Sequence, residues 1–383
     1  MREIEAILSS YDEAVQNGHN CVLATVVHVE GSSYRGAGTR MLVDEYGYMT
    51  GAISGGCLEG DALRKALLAL DQGRAKLITY DTSDEDDAVI GAQLGCNGII
   101  QVLFEPIDPQ QENNPMELLR RAAQSEYPVA LATFFSFKRS GRQRGTALLV
   151  DEESNARGET GDTALDEKTI AFAGPALENR QSQFLKYEAD SFTQHAFIET
   201  IIPPTRLVLI GAGNDAQVLS RMAGLLGWEV TVADGRPSHA NAERFGSCQV
   251  VVSNPGEVLD HIEIRENTAF VLMSHNYNYD LDVLKLLLSE KQVSYIGILG
   301  PKKKYNRMLG DLEAEGLALS QEQRDRIYAP VGLQLGAETP AEIGLSVLAE
   351  IQALLTCSTV RHLRELQGPI HSKEGREFRE VKL

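Results

Sequence analysis

The sequence has few of the residue patterns that mark secreted, membrane-spanning or metal-binding chains. Its five cysteines are scattered and form no CxxC pair, which argues against a disulfide framework, a zinc site or an iron–sulfur cluster. The eight histidines are not clustered at metal-ligand spacing, so we expect no metal ion held directly by side chains. No apolar run reaches the roughly 18–20 residues of a membrane span, and the acidic N-terminus lacks a signal-peptide pattern. We therefore expect a cytoplasmic protein whose thiols stay reduced.

Basic side chains are also scarce. Lysine and arginine together number 36, against 54 aspartates and glutamates, and the net charge is −18. A surface of this sign repels nucleic acid and anionic membranes. We therefore expect neither nucleic acid nor a membrane as a partner, and an acidic surface that docks another protein.

The length suggests more than one domain. A chain of 383 residues has room for two or three. Helical and β-rich runs over residues 1–110 predict an α+β unit. A polar, turn-rich stretch at 108–115 separates it from a second β-rich unit over 117–204.

A weak internal repeat links these two units. It pairs VLATVVHV near residue 22 with ALATFFSF near residue 130, and MLVDEYG at 41–47 with LLVDEES at 148–154, at an offset of about 107 residues. A looser echo of VLFEPIDP at 102–109 is AFIETIIP at 196–203, whereas SGGCLE at 54–59 has no counterpart. We interpret this as a β-rich unit duplicated once, with its chemistry kept in the first copy. Chance similarity between two β-hairpins is the alternative.

The pattern changes after residue 205, where apolar strands begin to alternate with helices up to residue 358. This alternation predicts a Rossmann-like, doubly wound parallel sheet, and hence an α/β fold class overall. Its last helix should begin after Thr339, which fits an N-cap with Glu342 as its capping-box partner. Residues 359–383 are rich in charge and suggest a loosely held tail.

A dinucleotide-type loop opens this region. The sequence from Gly211 to Ala216 is GxGxxA, placed between an apolar strand and a helix as such loops are. Asp234 ends the next strand, where an acidic side chain would meet a ribose, and Arg236 could accept a phosphate. Asp215 in the first helical turn would repel a pyrophosphate. A purely structural glycine turn is therefore the alternative.

A second glycine-rich feature lies in the first unit. The loop from Gly31 to Arg40 is rich in donors, and Ser54-Gly55-Gly56-Cys57-Leu58-Glu59 runs from a strand into a helix. The N-terminus of a helix favours a thiolate and other anions, so Cys57 is the candidate reactive residue. A glycine-allowed turn with an inert, buried cysteine is the alternative. Cys96 is a second glycine-flanked cysteine, for which a turn into a strand is the plainer interpretation.

Several of these motifs, in this order, resemble those of the XdhC/CoxI family, the accessory factors of xanthine dehydrogenase and carbon monoxide dehydrogenase. The resemblance runs from about residue 20 to residue 355. In the first unit it rests on GSSYRGAGTRMLV and GAISGGCLEGDA. In the last region it rests on LVLIGAGNDAQVLSRMAGLLGWEVTVADGR, MSHNYNYDLDVLKLLL, SYIGILGPKKK and APVGLQLGAETPAEIGLSVLAEI.

This resemblance implies two groups of site residues. The molybdenum cofactor, molybdopterin, would be bound by Ser32, Ser33, Arg35, Arg40, Ser54, Gly55, Gly56, Cys57, Glu59 and Cys96. A nucleotide such as NAD(P) would be bound by Gly211, Gly213, Ala216, Asp234, Arg236, His275, Asp280, Lys302 and Lys303. A helix-capping role is the alternative for both His275 and Asp280.

The resemblance also implies a function. The chain would bind molybdenum cofactor, support its sulfuration together with a sulfur-donating desulfurase, and deliver it to an apo molybdenum hydroxylase of the xanthine dehydrogenase type, and it would form a homodimer. It is too short to be that hydroxylase. The alternatives are an NAD(P)-dependent oxidoreductase, although the Rossmann half shows no Tyr-xxx-Lys pair, and a non-catalytic scaffold.

Overall fold

The computed structural model describes residues 1–31, 33, 35–81, 98–138, 141–190, 192–367 and 377–383. They form two compact units. The first comprises Met1–Pro203 together with His362–Leu383, and the second comprises Pro204–Arg361. Within these described ranges no helix has both the length and the apolar character needed to cross a membrane.

The first unit begins with a helix and a five-stranded antiparallel sheet. Its elements are α1 (Arg2–Gln16), β1 (Cys21–Gly31), β2 (Arg40–Asp44), β3 (Met49–Gly51), α2 (Glu59–Gln72), β4 (Lys76–Asp81) and β5 (Gly98–Pro106). The strand order is β3-β2-β1-β5-β4. Strand β1 reads as a continuous apolar run because both its faces are covered. Val22 and Ala24 pack towards α2, where Ala62 and Ala66 allow close approach, while Leu23 packs towards α1.

The same order of elements then follows a second time. It comprises α3 (Pro115–Gln124), β6 (Val129–Phe135), β7 (Gly145–Val150), β8 (Ala156–Gly158), α4 (Thr163–Glu178), β9 (Gln183–Glu188) and β10 (Thr193–Ile201). These strands are ordered β8-β7-β6-β10-β9, which matches the first sheet strand for strand. The shared topology supports the interpretation of a duplicated unit over chance similarity.

The two sheets of the first unit share a buried apolar layer. Val27 and Leu103 of the first sheet pack with Phe135, Phe184 and Phe197 of the second. In each copy the long helix covers the opposite face, α2 on the first sheet and α4 on the second. Both sheets are therefore buried on two sides, which accounts for their apolar strands.

The second unit is a parallel sheet with helices on both faces. Its elements are β11 (Arg206–Ile210), α5 (Asn214–Leu225), β12 (Glu229–Asp234), β13 (Gln249–Val252), β14 (Thr268–Leu272), α6 (Tyr277–Ser289), β15 (Tyr295–Ile298), α7 (Lys302–Ala314), α8 (Gln321–Asp325), β16 (Ile327–Tyr328) and α9 (Pro340–Leu355). The order β13-β12-β11-β14-β15-β16, parallel throughout, is that of a doubly wound dinucleotide-binding fold. The predicted fold class is confirmed.

The C-terminal segment differs from the expected loose tail. Strand β17 (Phe378–Lys382) pairs in parallel with β9 and extends the second sheet by one strand. Phe378 packs into the apolar layer between the sheets, and Val381 joins the core under α4. Phe378 and Val381 among charged residues were too weak a pattern to predict a strand. The strand forms because the edge of β9 supplies its backbone hydrogen-bond partners.

Candidate functional site

The loops that carry the cysteine motif leave one end of the first sheet. Strand β3 ends at Gly51, which pairs with Met41 near the start of β2. Strand β1 ends at Gly31, which pairs with Gly98 at the start of β5. The β1–β2 connection and the β3–α2 connection therefore leave the same end of the sheet.

A hydroxyl–carboxylate pair shapes the β3–α2 connection. The backbone N–H of Ser54 donates to Glu59 Oε1 at 2.8 Å, and its hydroxyl donates to Oε2 at 2.6 Å. The Ser54 hydroxyl oxygen in turn accepts hydrogen bonds from the N–H groups of Gly56 and Leu58. Partial burial opposes ionisation of Glu59, but these hydrogen bonds outweigh it and hold the Glu59 pKa below its usual range. We expected Glu59 to bind cofactor, and the structure shows its carboxylate fixing the loop.

The segment between Ser54 and Glu59 is accessible to solvent at three residues. Gly55, Gly56 and Cys57 are all exposed, while Leu58 is buried and anchors the chain just before α2. Gly56 has a φ of 109°, which a residue with a side chain rarely adopts, and no atom lies within 4 Å of where its Cβ would be. A ligand can therefore approach the backbone and the Cys57 thiol together. The alternative of a buried, inert cysteine does not describe this residue.

The two arginines of the β1–β2 loop have different surroundings. Arg35 is partly exposed and forms an ion pair with Glu3 of α1 at 2.8 Å. Such exposed pairs contribute only about 0–1 kcal/mol, so a ligand anion can replace Glu3. Arg40 is buried, donates to the carbonyl of Gly38 at 2.8 Å and pairs with Glu199 of β10. Arg40 therefore joins the two copies and is not available to a ligand.

Of three further residues in the expected cofactor group, the structure describes one. Ser33 is partly buried in the β1–β2 connection. Ser32 and Cys96 lie outside the described residues.

The GxGxxA loop of the second unit lies where the sequence placed it, between β11 and α5. Gly211 has a φ of 120°, and a Cβ there would lie 2.4 Å from the Cα of Ser274. Glycine is therefore required at position 211, because the β14–α6 connection approaches its backbone closely. Ala216 is buried against β11, as the small third residue of the motif should be.

The carboxylate expected to meet a ribose is already engaged. Asp234 Oδ2 accepts from the N–H of Ala212 at 2.8 Å, and both carboxylate oxygens accept from Arg236. Burial opposes ionisation of Asp234, but these donors outweigh it and hold its pKa below the usual range. The N–H of Gly211 donates to the carbonyl of Ala233 at 2.7 Å. Asp234 and two N–H groups of the loop thus already have partners within the second unit.

His275 lies close to the same loop. It has a φ of 57°, uncommon for a residue other than glycine, and its Nε2 lies 3.7 Å from Asp215 Oδ2. A Cβ on Gly213 would lie 3.6 Å from the imidazole. The N-cap of α6 is Asn276, whose side chain accepts from two backbone N–H groups, so the capping alternatives for His275 and Asp280 are wrong.

Asp280 and the lysines of α7 are arranged differently from the expected ligand-binding set. Asp280 is fully buried, accepts from the Ser274 hydroxyl at 2.6 Å and forms an ion pair with Lys304 at 2.6 Å. Lys302 and Lys303 are exposed at the start of α7. Lys304 was not among the predicted site residues. Its position in the same basic run was visible, but only the register of α7 selects which lysine faces the sheet.

Metal ligation by side chains finds no support in the part of the chain that the structure describes, because no three His, Cys, Asp or Glu residues there are grouped around a common point. The chemistry available at the first-sheet edge is that of an exposed thiol, exposed glycine backbone and one arginine.

Comparison with known proteins agrees with these features. Residues 14–81 match the model of the XdhC and CoxI family, and residues 207–351 match that of the XdhC Rossmann domain. Over 349 residues the chain is 32% identical to a protein of Bacillus subtilis (strain 168) named as a probable subunit of xanthine dehydrogenase, and the match covers 91% of this chain and 95% of that protein. It is 25% identical over 342 residues to the molybdenum cofactor insertion chaperone PaoD of Escherichia coli (strain K12), covering 89% and 86%.

A solved structure extends the likeness to the fold. The crystal structure of a xanthine dehydrogenase from Bacillus halodurans superposes with a TM-score of 0.71 at 29% identity, covering 92% of this chain and 97% of that one. Family models match in both compact units, and the B. subtilis relative spans nearly the whole chain. The chain belongs to the XdhC and CoxI family.

Proposed function

We propose that this chain is an accessory protein that binds molybdenum cofactor and delivers it to an apo molybdenum hydroxylase. Its relative PaoD is named as a molybdenum cofactor insertion chaperone, which supports an accessory role. The observation that carries the proposal is the β3–α2 connection, where Gly55, Gly56 and the Cys57 thiol are exposed together on a loop that the Ser54–Glu59 pair holds in shape.

Each residue of this edge has a distinct part in the proposal. The exposed glycine backbone would admit the molybdenum end of the cofactor, and Cys57 is the thiol that would lie near the molybdenum or carry sulfur for it. Arg35 would exchange its exposed partner Glu3 for an anionic group of the cofactor. Ser54 and Glu59 act as positioning residues. When bound, the cofactor supplies the redox chemistry, and the chain supplies its binding and orientation.

Transfer of sulfur to the cofactor belongs to the same proposal. A sulfur-donating desulfurase would be the second partner, and Cys57 the acceptor from which sulfur passes on. The net charge of −18 suits docking to proteins with basic patches and disfavours nucleic acid.

Cofactor retention tests this proposal. The full chain and its Cys57→Ala variant are produced in a host that makes molybdopterin, and pterin and molybdenum per chain are measured after purification. The matched control is Cys357→Ala, which removes another exposed thiol from the second unit. We expect near-stoichiometric pterin in the wild type and the control, and at least a tenfold loss in Cys57→Ala. Equal pterin in all three would place the site elsewhere, and no pterin in any of them would contradict the cofactor-binding role.

A further inference from the structure

The two copies of the first unit contain a pair of equivalent glutamates. Leu23 of β1 pairs with Glu105 of β5, and Leu131 of β6 pairs with Glu199 of β10. Each leucine begins the Leu-Ala-Thr sequence shared by the two copies. Glu105 and Glu199 therefore occupy the same position in their respective sheets.

These glutamates cross over to the opposite copy. The Glu199 carboxylate lies against Gly38, where a Cβ would come within 2.6 Å of its Oε1. The Glu105 carboxylate lies against Gly145 in the same way, at 2.3 Å. Gly38 and Gly145 have similar positive φ values of 89° and 81° and stand just before β2 and at the start of β7. Each copy therefore contributes one glutamate to the interface, and that glutamate lies against a glycine of the other copy.

The two halves of this interface differ in one side chain. On one side, Arg40 forms a two-pronged ion pair with Glu199 through its two terminal nitrogens. On the other side the strand register shifts by one residue, so that Thr146 pairs with Thr133 where Arg40 pairs with Thr25, although Ala147 is the counterpart of Arg40 in the sequence. Thr146 donates from its N–H and hydroxyl to Glu105 at 2.6 and 3.0 Å, but it brings no cation.

A cavity lies on the side that has the threonine. Its volume is about 630 Å³, within the range of roughly 300–1,000 Å³ typical of small-molecule sites. Its wall includes Glu105, Thr146, Arg144, Arg74 and Glu159. Glu105 is 3% exposed, so the cavity ends on a deeply buried carboxylate.

We propose that this cavity binds a ring compound whose edge resembles the guanidinium of Arg40, with an amino group beside a ring N–H. The 2-amino-4-oxo edge of pterin and the corresponding 2-amino-6-oxo edge of guanine have this arrangement of donors. Each oxygen of a carboxylate accepts more than one hydrogen bond, so Glu105 can retain Thr146 and also receive two parallel donors, as Glu199 does from Arg40.

The electrostatics of the cavity agree with this assignment. Burial raises the Glu105 pKa to about 7, against hydrogen bonds from Thr146 and the nearby charge of Arg40, which lower it. A ligand that donates two hydrogen bonds to Glu105 stabilises its ionised carboxylate. The guanidinium of Arg144, whose side chain is 10% exposed, also lines the cavity, where it donates to the carbonyl of Thr160 and pairs with Asp162.

The pterin ring of the molybdenum cofactor and a guanine nucleotide both carry this edge. Occupation by the pterin ring rests on the proposed function, whereas occupation by guanine does not. The measurement that tests the cavity therefore uses the free ring compounds and never the loaded cofactor.

Calorimetric titration of the full chain tests the inference with two matched pairs of ligands. Guanosine is compared with inosine, and pterin with lumazine, because the second member of each pair lacks the 2-amino group. We expect at least one first member to bind, and its partner to bind at least tenfold more weakly. Binding of pterin alone identifies the cofactor ring as the occupant, and binding of guanosine alone identifies a nucleotide.

Two variants locate the binding. Glu105→Gln removes the charge with little change of shape, and Thr146→Arg reproduces in this half the side chain that the other half has. Each should weaken binding at least tenfold, and Thr146→Arg should fold stably because it supplies Glu105 with a cation. Undiminished ligand binding in Glu105→Gln overturns the inference. A wild-type chain that binds neither guanosine nor pterin, or that binds inosine and lumazine equally well, also overturns it.

The outcome is independent of the cofactor-retention experiment. Loss of cofactor in Cys57→Ala together with normal pterin binding in Glu105→Gln would refute only the cavity. Ring binding that depends on Glu105, together with full cofactor retention in Cys57→Ala, would refute only the site proposed at the cysteine loop.

Discussion

At the scale of single residues, buried carboxylates in this chain are stabilised in two ways. Asp280 is fully buried and is compensated by the ammonium of Lys304. Glu105 is just as deeply buried, but its direct partners are the neutral N–H and hydroxyl of Thr146. The first arrangement places a cation in contact with the carboxylate, whereas the second makes ionisation of Glu105 costly because that carboxylate is desolvated without a cation in contact.

This difference predicts a pH dependence of stability. Because the Glu105 pKa rises from an ordinary 4.5 to about 7 on folding, the folded state holds its proton more tightly. The stabilisation is complete below about pH 4.5 and is lost as the pH rises through about 7. Relative to Glu105→Gln, the wild type should lose about 3 kcal/mol of unfolding free energy over this interval. Thermal melts of both chains from pH 4.5 to 8 measure it, and parallel profiles would contradict the assignment.

The Asp280–Lys304 pair predicts a large mutational effect. Lys304→Met leaves the Asp280 carboxylate buried without its cation and should lower the free energy of unfolding by about 3 kcal/mol or more. Lys285→Met is the matched control, because the partner carboxylates of Lys285 are half exposed, and it should cost at most about 1 kcal/mol. Urea denaturation compares the two. Equal effects would mean that burial of Asp280 does not govern the energetics.

At the scale of elements, short connections do most of the positioning. The β3–α2 connection is held by Ser54 and Glu59, and the β8–α4 connection of the second copy has a similar pair, in which Thr160 donates from its N–H and hydroxyl to Asp166. The second copy thus keeps the loop-fixing pair without a counterpart of Cys57. This supports the view that the hydroxyl–carboxylate pair is structural and that Cys57 is the residue with the proposed chemical role.

The β11–α5 connection predicts a strong glycine requirement. Gly211→Ala places a Cβ against the backbone of Ser274 and enforces a positive φ, so it should lower the free energy of unfolding by about 3 kcal/mol. Gly310→Ala, inside α7 with open space around it, should instead raise it by about 0.5–1 kcal/mol. Chemical denaturation of both variants separates packing from propensity, and a neutral Gly211→Ala would show that the loop relaxes.

At the scale of the whole molecule, the first unit is completed by the end of the chain. Phe378 of β17 lies in an aromatic group with ring centroids 4.7 Å from His28, 5.0 Å from His195 and 5.6 Å from Phe184. These rings belong to both sheets. The last strand therefore covers the apolar layer that joins the two copies, although the second unit separates it from them in the sequence.

Removal of residues 362–383 should consequently destabilise the first unit. Loss of the contacts of Phe378 and Val381 should lower its melting temperature by roughly 5–10 °C, since burial of one such side chain contributes about 1.5–3 kcal/mol. Glu380→Ala, an exposed position on the same strand, is the control and should leave the melting temperature nearly unchanged. Calorimetry resolves the transition, and an unchanged melting temperature in the truncated chain would contradict this role for β17.

The sequence by itself determined the features whose physical cause is local. Strand–helix alternation after residue 205 was sufficient for the parallel sheet, and the capping box of Thr339 and Glu342 begins α9 as predicted. The cysteine motif was also visible, because it is a pattern of neighbouring residues. The capping box and the Ser54–Glu59 pair are made within a few positions along the chain.

Tertiary structure decided which of the predicted residues remain free for a ligand. Arg40, Asp234 and Asp280 had the chemistry of binding residues, but each is committed to a partner from a neighbouring or distant segment. The cavity beside Glu105 was likewise not predictable, since it depends on the different surroundings of Glu105 and Glu199 in the folded interface between the copies. Charge, burial and the availability of a side chain are properties of the assembled sheets, because they depend on contacts that only folding brings together.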